Sequence, residues 1–329
     1  MEKQIKNIAV LTSGGDAPGM NAAIRAVVRA CAYYNIKCTG IYRGYQGMIE
    51  NDMIEMGPRT VKNIVNRGGT ILKSARSKEF MTPEGRKKAY ENLKANEVDA
   101  LVVIGGDGSF KGGLALTKEF DIPVIGIPGT IDNDIAGTSH TIGFDSALNT
   151  VVDAIDKIRD TANSHNRLFF VEVMGRDAGH IALNAGIGAG AEEILIPEEN
   201  IGLDKLLDSL ERSRKSGKSS SIVVVTEGES IGKSVFELGE YVKTNLPDYD
   251  VRVSVLGHLQ RGGSPSCFDR VLASRLGVKA VESLLDGKHS MMVGLLNDKV
   301  ELTPIEKAVK SAGSGVDEEL IRISDIVSI

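Results

Sequence analysis

Two aspartates two residues apart, Asp132 and Asp134, stand in the segment Pro128-Gly129-Thr130-Ile131-Asp132-Asn133-Asp134, directly after the apolar run Val124-Ile127. With a Thr hydroxyl and a glycine beside them, they can supply a general base, an orienting partner and hydroxyl or backbone donors to a transferring phosphoryl group. The same residues suit an Asx-rich turn. Two glycine loops follow other apolar runs: Leu11-Thr12-Ser13-Gly14-Gly15-Asp16, and Ile104-Gly105-Gly106-Asp107-Gly108-Ser109. Glycine lets the backbone approach a phosphate, and a following helix N-terminus turns free N–H groups towards it. Alternatively, the glycines only turn a strand into a helix. Asp107 falls where a phosphate would lie. A carboxylate beside a phosphate needs a bridging cation, and Mg²⁺ takes one or two carboxylates plus phosphate oxygens and waters, so Asp107 is either a Mg²⁺ ligand or a helix cap.

Positive charge comes from single arginines: Arg76, Arg167, Arg176, Arg252 and Arg261, each at a strand end or beside a glycine loop. There a guanidinium can fork onto a phosphate; elsewhere an isolated arginine is commonly a solvated surface residue. Neither glycine loop is a standard nucleotide fingerprint. From Gly106 the pattern GxGxxG needs glycine where Lys111 stands, and Gly228-Glu229-Ser230-Ile231-Gly232-Lys233-Ser234 has one residue too few for a Walker loop. The latter reads as a surface loop opening a helix.

The elements that must position these residues alternate along the chain. Strand-length apolar runs occur at Ile8-Leu11, Ile36-Ile41, Ala100-Ile104, Val124-Ile127, Leu168-Val173, Glu193-Ile196, Ile222-Thr226 and Val251-Val255, with helix-length stretches between them. The pattern predicts an α/β fold built on mostly parallel sheets. Val151, Ile155 and Ile158 keep the spacing of a buried helix face, as do Leu203, Leu206, Leu207 and Leu210. A length of 329 residues suggests two lobes, with crossings expected in 128–143 and 257–265, where Gly, Thr and Asp replace helical periodicity. Open α/β sheets bind ligands at the carboxyl ends of their strands.

Net charge of −5 with Lys and Arg spread among Asp and Glu argues against nucleic acid. Cys31, Cys38 and Cys267 make no CxxC pair, and the five histidines no HExxH motif, so reduced thiols and no histidine-held metal are expected. There is no long apolar run and no signal-peptide pattern, and a cytoplasmic protein free of the membrane is expected.

In order along the chain, TSGGDAPGMNAAIR, NRGGTIL.SAR, VVIGGDGS, PGTIDND, EVMGRDAGH and LGHLQRGGSP closely resemble the bacterial ATP-dependent 6-phosphofructokinases over residues 5–300. The resemblance implies two Rossmann-like three-layer lobes, 1–142 plus 259–305 for ATP and 143–258 plus 306–329 for the sugar phosphate. It implies transfer of the ATP γ-phosphoryl to the 1-hydroxyl of fructose 6-phosphate with Mg²⁺, the committed step of glycolysis. Gly15, Arg76, Ser77, Gly106, Asp107, Gly108 and Ser109 match the ATP site, Asp107 the Mg²⁺ ligand and Asp132 the base, with Arg76, Thr130 and Arg176 also catalytic. Thr130, Ile131, Asp132, Met174, Gly175, Arg176 and Glu227 would surround the sugar. Arg167, Arg252, His258, Leu259, Gln260 and Arg261 would hold it and its 6-phosphate, Arg167 and Arg252 from a neighbouring subunit of a homotetramer, a dimer of dimers.

Pyrophosphate-dependent relatives carry Asp where this chain has Gly108 and Lys where it has Gly129, so both glycines favour ATP. Arg25, Arg29, Arg59, Arg159, Gly190, Glu192 and Lys218 match an effector site for ADP or GDP and phosphoenolpyruvate, with Pro58 and Ser216 departing from the family pattern. A pyrophosphate-dependent enzyme is one alternative. A catalytically silent phosphosugar sensor is another, against which Asp132 and Arg176 speak, since a sensor needs neither a base nor transition-state charge.

Overall fold

The computed structural model describes residues 5–165, 167–199, 202–217, 221–228, 232–310 and 315–328. These form two compact units. The first holds 5–130, Ile135–Asp145 and 261–310; the second holds Ile131–Asp134, 146–260 and 315–328.

In the first unit run β1 (Asn7–Thr12), α1 (Met20–Tyr33), β2 (Lys37–Ile41), α2 (Gly44–Glu50), β3 (Met53–Met56), α3 (Pro83–Ala95), β4 (Ala100–Gly105), α4 (Asp107–Phe120) and β5 (Val124–Pro128). α5 (Phe144–His165) opens at its edge and continues into the second unit as β6 (Arg167–Val173), α6 (His180–Gly188), β7 (Glu193–Leu195), α7 (Leu203–Lys215), β8 (Ser221–Thr226), α8 (Val235–Asn245) and β9 (Asp250–Val255). The chain returns to the first unit with α9 (Cys267–Leu285), β10 (Met291–Leu296), β11 (Lys299–Pro304) and α10 (Ile305–Lys310), and α11 (Glu318–Val327) belongs to the second. The stretch 306–310, expected with the sugar-phosphate lobe, lies in the first unit because α10 packs on α4.

All eight expected strands are present, and the α/β architecture with mostly parallel pairing is as the apolar runs imply. The first sheet has the order β11-β10-β5-β4-β1-β2-β3, antiparallel only at its two margins, β10 with β11 and β2 with β3. Its central strands β1, β4 and β5 are buried along their whole length, the reason their sequences read as continuous apolar runs. Because β2 lies on one side of β1 and β4 on the other, the chain reverses direction between β1 and β4, where open sheets of this kind leave a crevice at the carboxyl ends.

The second sheet, β7-β8-β6-β9, is wholly parallel. Its core gathers Leu168, Phe170, Val223 and Val225 from the strands with Leu206 and Leu210 of α7, on which Leu203 and Leu207 also pack. Val151 and Ile155 of α5 are fully buried and Ile158 half-buried. The Walker-like stretch ends in a capping box: Ser234 accepts from the Glu237 amide while the Glu237 carboxylate accepts from the Ser234 amide, fixing the start of α8. Cys31 and Cys38 are buried free thiols and Cys267 an exposed one. No helix among the described residues is long and apolar enough to cross a membrane.

Candidate active site

Three strand-exit loops of the first unit are tied to one another at the β1/β4 reversal. The Ser13 amide donates to the Ile104 carbonyl at 3.0 Å, and the Gly129 amide to the Gly105 carbonyl at 3.0 Å. A Cβ on Gly105 would collide with the Ser13 carbonyl and stand 2.5 Å from Ser109 Oγ, so glycine here is demanded by packing. Gly108 differs: its Cβ would meet nothing within 4 Å, and the fold itself leaves that direction open. At Gly129 a Cβ would press Ile104 Cγ2 at 3.1 Å and Met20 Cε at 3.3 Å, so its glycine also has a packing reason.

The loop carrying Arg76 is fastened to the β1 exit. Buried Asn21 donates from Nδ2 to the Arg67 and Gly68 carbonyls, each at 3.1 Å, and accepts from the Ile71 amide at 2.7 Å. Ser74 Oγ donates to the Gly14 carbonyl at 2.7 Å. Arg76 is exposed at the end of this strapped segment. Ser77 is engaged locally, donating to Gln46 Oε1 at 2.7 Å and accepting from the Phe80 amide at 3.1 Å. Arg261 Nη1 donates to the Asp16 carbonyl at 3.1 Å, so its guanidinium lies over Gly15.

Asp107 is the first residue of α4, and Gly106, not Asp107, is the cap residue, so the capping alternative does not hold. Oδ2 takes the Lys111 ammonium at 2.6 Å, whereas Oδ1 is buried without a hydrogen-bond partner. A bare buried carboxylate oxygen at a helix N-terminus, flanked by Gly106 and Gly108, fits a hard divalent cation whose remaining ligands are phosphate oxygens and water. Among the described residues no cluster of three or more His, Cys, Asp or Glu is placed to hold a metal.

Thr130 is counted with the first unit, and its carbonyl accepts from Thr141 Oγ1 at 2.5 Å. Ile131 is fully buried and Asp132 half-buried, both counted with the second unit, and Asn133 next to them has a left-handed backbone at φ 54°. Arg176 shares that conformation at φ 53° and is exposed. Non-glycine residues held there cost energy and cluster at functional sites. Gly175 before it has φ 144° and abuts the Ala178 carbonyl, so no side chain fits.

Within the second unit the expected sugar residues divide between opposite ends of the sheet. Met174, Gly175 and Arg176 follow β6, Glu227 follows β8, and His258, Leu259 and Gln260 follow β9, all at carboxyl ends. Gln260 is fully buried and ties two of these exits, accepting from the Met174 amide at 3.2 Å and donating to the Gly257 carbonyl at 3.0 Å. Burial pushes the Glu172 carboxyl up, and the Glu227 charge adds to the effect. Arg167 opens β6 and Arg252 lies near the start of β9, at the amino ends. At about 3.3 Å per residue, Arg167 lies roughly 20 Å along the strands from the carboxyl-end group, and Arg252, level with Phe169 of β6, roughly 15 Å.

Of the expected effector residues, Arg25 and Arg29 share a face of α1, where burial and then the Arg29 charge hold the Arg25 guanidinium below its usual range. Arg59 is exposed after β3. Arg159 Nη2 donates to the Ala189 and Gly190 carbonyls, each at 2.7 Å, and Nη1 lies 3.7 Å from the buried Glu192 carboxylate. Lys218 lies outside the described residues.

Two residues at these positions escaped the sequence reading. Lys111 could have been found, since a Lys four residues after Asp107 on a helix is a standard ion-pair spacing. Asp250 takes both Arg167 and Arg252, and no local spacing reveals a pairing that needs two strands in register.

The phosphofructokinase family matches residues 7–284. ATP-dependent 6-phosphofructokinase 2 of Bacteroides thetaiotaomicron is 53% identical over 325 residues, covering 99% of this chain and 99% of its own length. ATP-dependent 6-phosphofructokinase 1 of Thermus thermophilus is also 53% identical, over 99% of this chain and 100% of its own. Among solved structures, phosphofructokinase from Saccharomyces cerevisiae matches with a TM-score of 0.87 and 36% identity over 98% of this chain, which spans half of that longer one. A pyrophosphate-dependent phosphofructokinase from Marinobacter aquaeolei, 23% identical, shares the fold with a TM-score of 0.83 over 98% of this chain and 91% of that one.

Proposed function

Since the chain belongs to the phosphofructokinase family, we propose that it transfers the γ-phosphoryl group of ATP to the 1-hydroxyl of fructose 6-phosphate, giving fructose 1,6-bisphosphate and ADP. The observation that carries the reading is 53% identity along essentially the whole chain to relatives named for the ATP-dependent reaction. Gly108, whose side-chain direction is open, supports a nucleotide donor in preference to pyrophosphate.

In this reading the β1 and β4 exit loops cradle the phosphates with backbone N–H groups and the N-terminus of α4. Gly15 and Gly106 permit the close approach, the buried Ser109 braces the loop and Arg76 adds charge against the transferring group. Asp107 Oδ1 would hold Mg²⁺, which when bound screens the phosphate oxygens. Asp132 accepts the proton of the 1-hydroxyl as that oxygen attacks, and Thr130 donates to the group in flight. Arg176 faces the developing charge, and Met174, Gly175, Glu227 and His258 border the sugar. Arg167 and Arg252 take the 6-phosphate of a sugar bound mainly by a second copy, as in the family; along the strands they lie roughly 20 Å and roughly 15 Å from the residues of the same chain that border the ring. A homotetramer follows from the family, as does an effector site at Arg25, Arg29, Arg59, Arg159, Gly190 and Glu192 for ADP or GDP and phosphoenolpyruvate. The setting is cytoplasmic glycolysis.

The test is a coupled assay on purified protein with fructose 6-phosphate, ATP and pyrophosphate in separate arms, with and without Mg²⁺. Turnover with ATP and Mg²⁺ alone supports the reading. Turnover with pyrophosphate alone transfers it to the alternative donor, and binding without turnover in either arm leaves a sensor.

A further inference from the structure

We propose that Asp250 is a positioning residue that sets Arg167 and Arg252 side by side as a two-guanidinium clamp for a phosphomonoester dianion. The proposal rests on the reading that these two arginines take the 6-phosphate. Asp250 and Arg252 are two residues apart on β9 and therefore share a face of the sheet, and Arg167 is the residue directly opposite Asp250 on β6. Arg167 Nε donates to Asp250 Oδ2 at 2.8 Å, and Arg252 Nη1 to Asp250 Oδ1 at 2.5 Å. Each guanidinium is thus held by one nitrogen. Among the described residues the only other hydrogen bond of either is from Arg252 Nη1 to the Val251 carbonyl at 3.0 Å. The remaining N–H groups, Nη1 and Nη2 of Arg167 and Nε and Nη2 of Arg252, are left for a ligand with several acceptor oxygens, as a phosphate has.

Charge supports the same arrangement. Two guanidiniums brought together repel, and a carboxylate between them offsets that repulsion while leaving one net positive charge. The Arg167 hydrogen bond, with the Arg252 and His165 charges, holds the Asp250 carboxyl below the usual carboxylate range, so it stays ionised through the neutral range. The side chains of Arg167, Asp250 and Arg252 are 25%, 41% and 48% exposed. Pairs this exposed contribute little to stability, so a triad kept only for the fold would have little effect when broken.

The experiment compares Asp250→Ala, Asp250→Asn, Asp250→Glu and Arg252→Ala in the full-length enzyme, measuring KM for fructose 6-phosphate, KM for ATP, kcat and thermal midpoint. Asp250→Ala is expected to raise KM for the sugar phosphate about tenfold, with kcat and KM for ATP within about twofold and the midpoint unchanged. The nearly isosteric Asp250→Asn, which loses charge but not shape, is expected to raise the same KM several-fold, and Asp250→Glu to restore it largely. A sugar-phosphate KM that rises in Arg252→Ala but stays at the wild-type value in both Asp250→Ala and Asp250→Asn overturns the positioning role. A KM unmoved by Arg252→Ala overturns the underlying assignment of the arginines instead.

Discussion

The Arg261 guanidinium lies across Gly15: a Cβ built on Gly15 would stand 2.7 Å from Arg261 Nη1, the nitrogen that also donates to the Asp16 carbonyl. The glycine is needed for the neighbour, not for its own backbone, because Gly15 is not among the glycines with positive φ. Gly15→Ala is therefore expected to fold, since the far end of an arginine yields cheaply, but to push that guanidinium off its seat. We expect a thermal midpoint within about 2 °C of wild type and kcat/KM lower by about tenfold or more. Wild-type kcat/KM in the folded variant would show that the contact has no part in the chemistry.

Asp132 is assigned the proton of the attacking hydroxyl. Asp132→Ser is expected to keep both substrates bound and to lower kcat by at least about 10²-fold, the lower end for a general base. A kcat equal to that of the unaltered enzyme would remove Asp132 from the role.

Gly108 and Gly129 make opposite predictions. Gly108→Asp enters open space, so the protein should fold normally while a carboxylate beside the triphosphate repels it, and kcat/KM for ATP should fall by about tenfold or more. Gly129→Lys must displace Ile104 and Met20, so its first effect should be a lower melting midpoint, by several degrees on the order of other overpacked cores. Calorimetry and nucleotide titration on the two variants separate these cases; unchanged ATP use by folded Gly108→Asp would refute the first.

The legibility of this chain varied with the distance over which each feature is decided. β1, β4, β5 and β8 are buried on both faces, so a local apolar run suffices to find them. β3 and β11 were missed because each lies at a sheet margin: residues 53–55 of β3 are only half-buried or exposed, and β11 alternates Val300 and Leu302 with exposed polar residues. β10 carries the apolar run Met291–Leu296, a local signal of the same kind as in the central strands, although the expected strands did not include it. The glycine loops and the PGTIDND turn announce themselves by composition. That Gly105 is packed and Gly108 open, and that Asp250 bridges Arg167 and Arg252, depends on atoms brought together from distant parts of the chain.

A site shared between copies makes its own prediction. Asp132→Ser, impaired in kcat, and Arg252→Ala, impaired in turnover at low fructose 6-phosphate, should regain part of the activity at low fructose 6-phosphate when mixed under conditions that exchange subunits, because some sites then receive both native residues. Hybrid oligomers that form, by native mass spectrometry, yet stay as inactive as their parents would count against sharing.

Glu193, at the start of β7, gives a pH signature. Burial pushes its carboxyl up, with Asp325 adding to the effect, while a Ser209 hydrogen bond and the Lys205 and Arg212 charges oppose it. A raised acid favours the folded state in its protonated form, so its contribution is present below the ordinary carboxylate range and lost as pH rises through the folded value. At pH 8 the ionised group is a liability, and Glu193→Gln should raise the melting midpoint by about 1–3 °C. The advantage should vanish near pH 4; an advantage independent of pH would point to packing alone.

The order of strands in the first sheet also governs how the chain emerges from a ribosome. β5 pairs with β4 at once, but its other neighbour, β10, begins more than 160 residues later, after nearly the whole second unit. α9, which packs on both α1 and β5, is delayed almost as long. At ~5–20 residues per second, the nascent chain therefore carries an unpaired apolar edge and an uncovered sheet face for roughly 10–30 s. Occupancy by chaperones during synthesis should begin once β5 clears the exit tunnel and end only when β10 has followed.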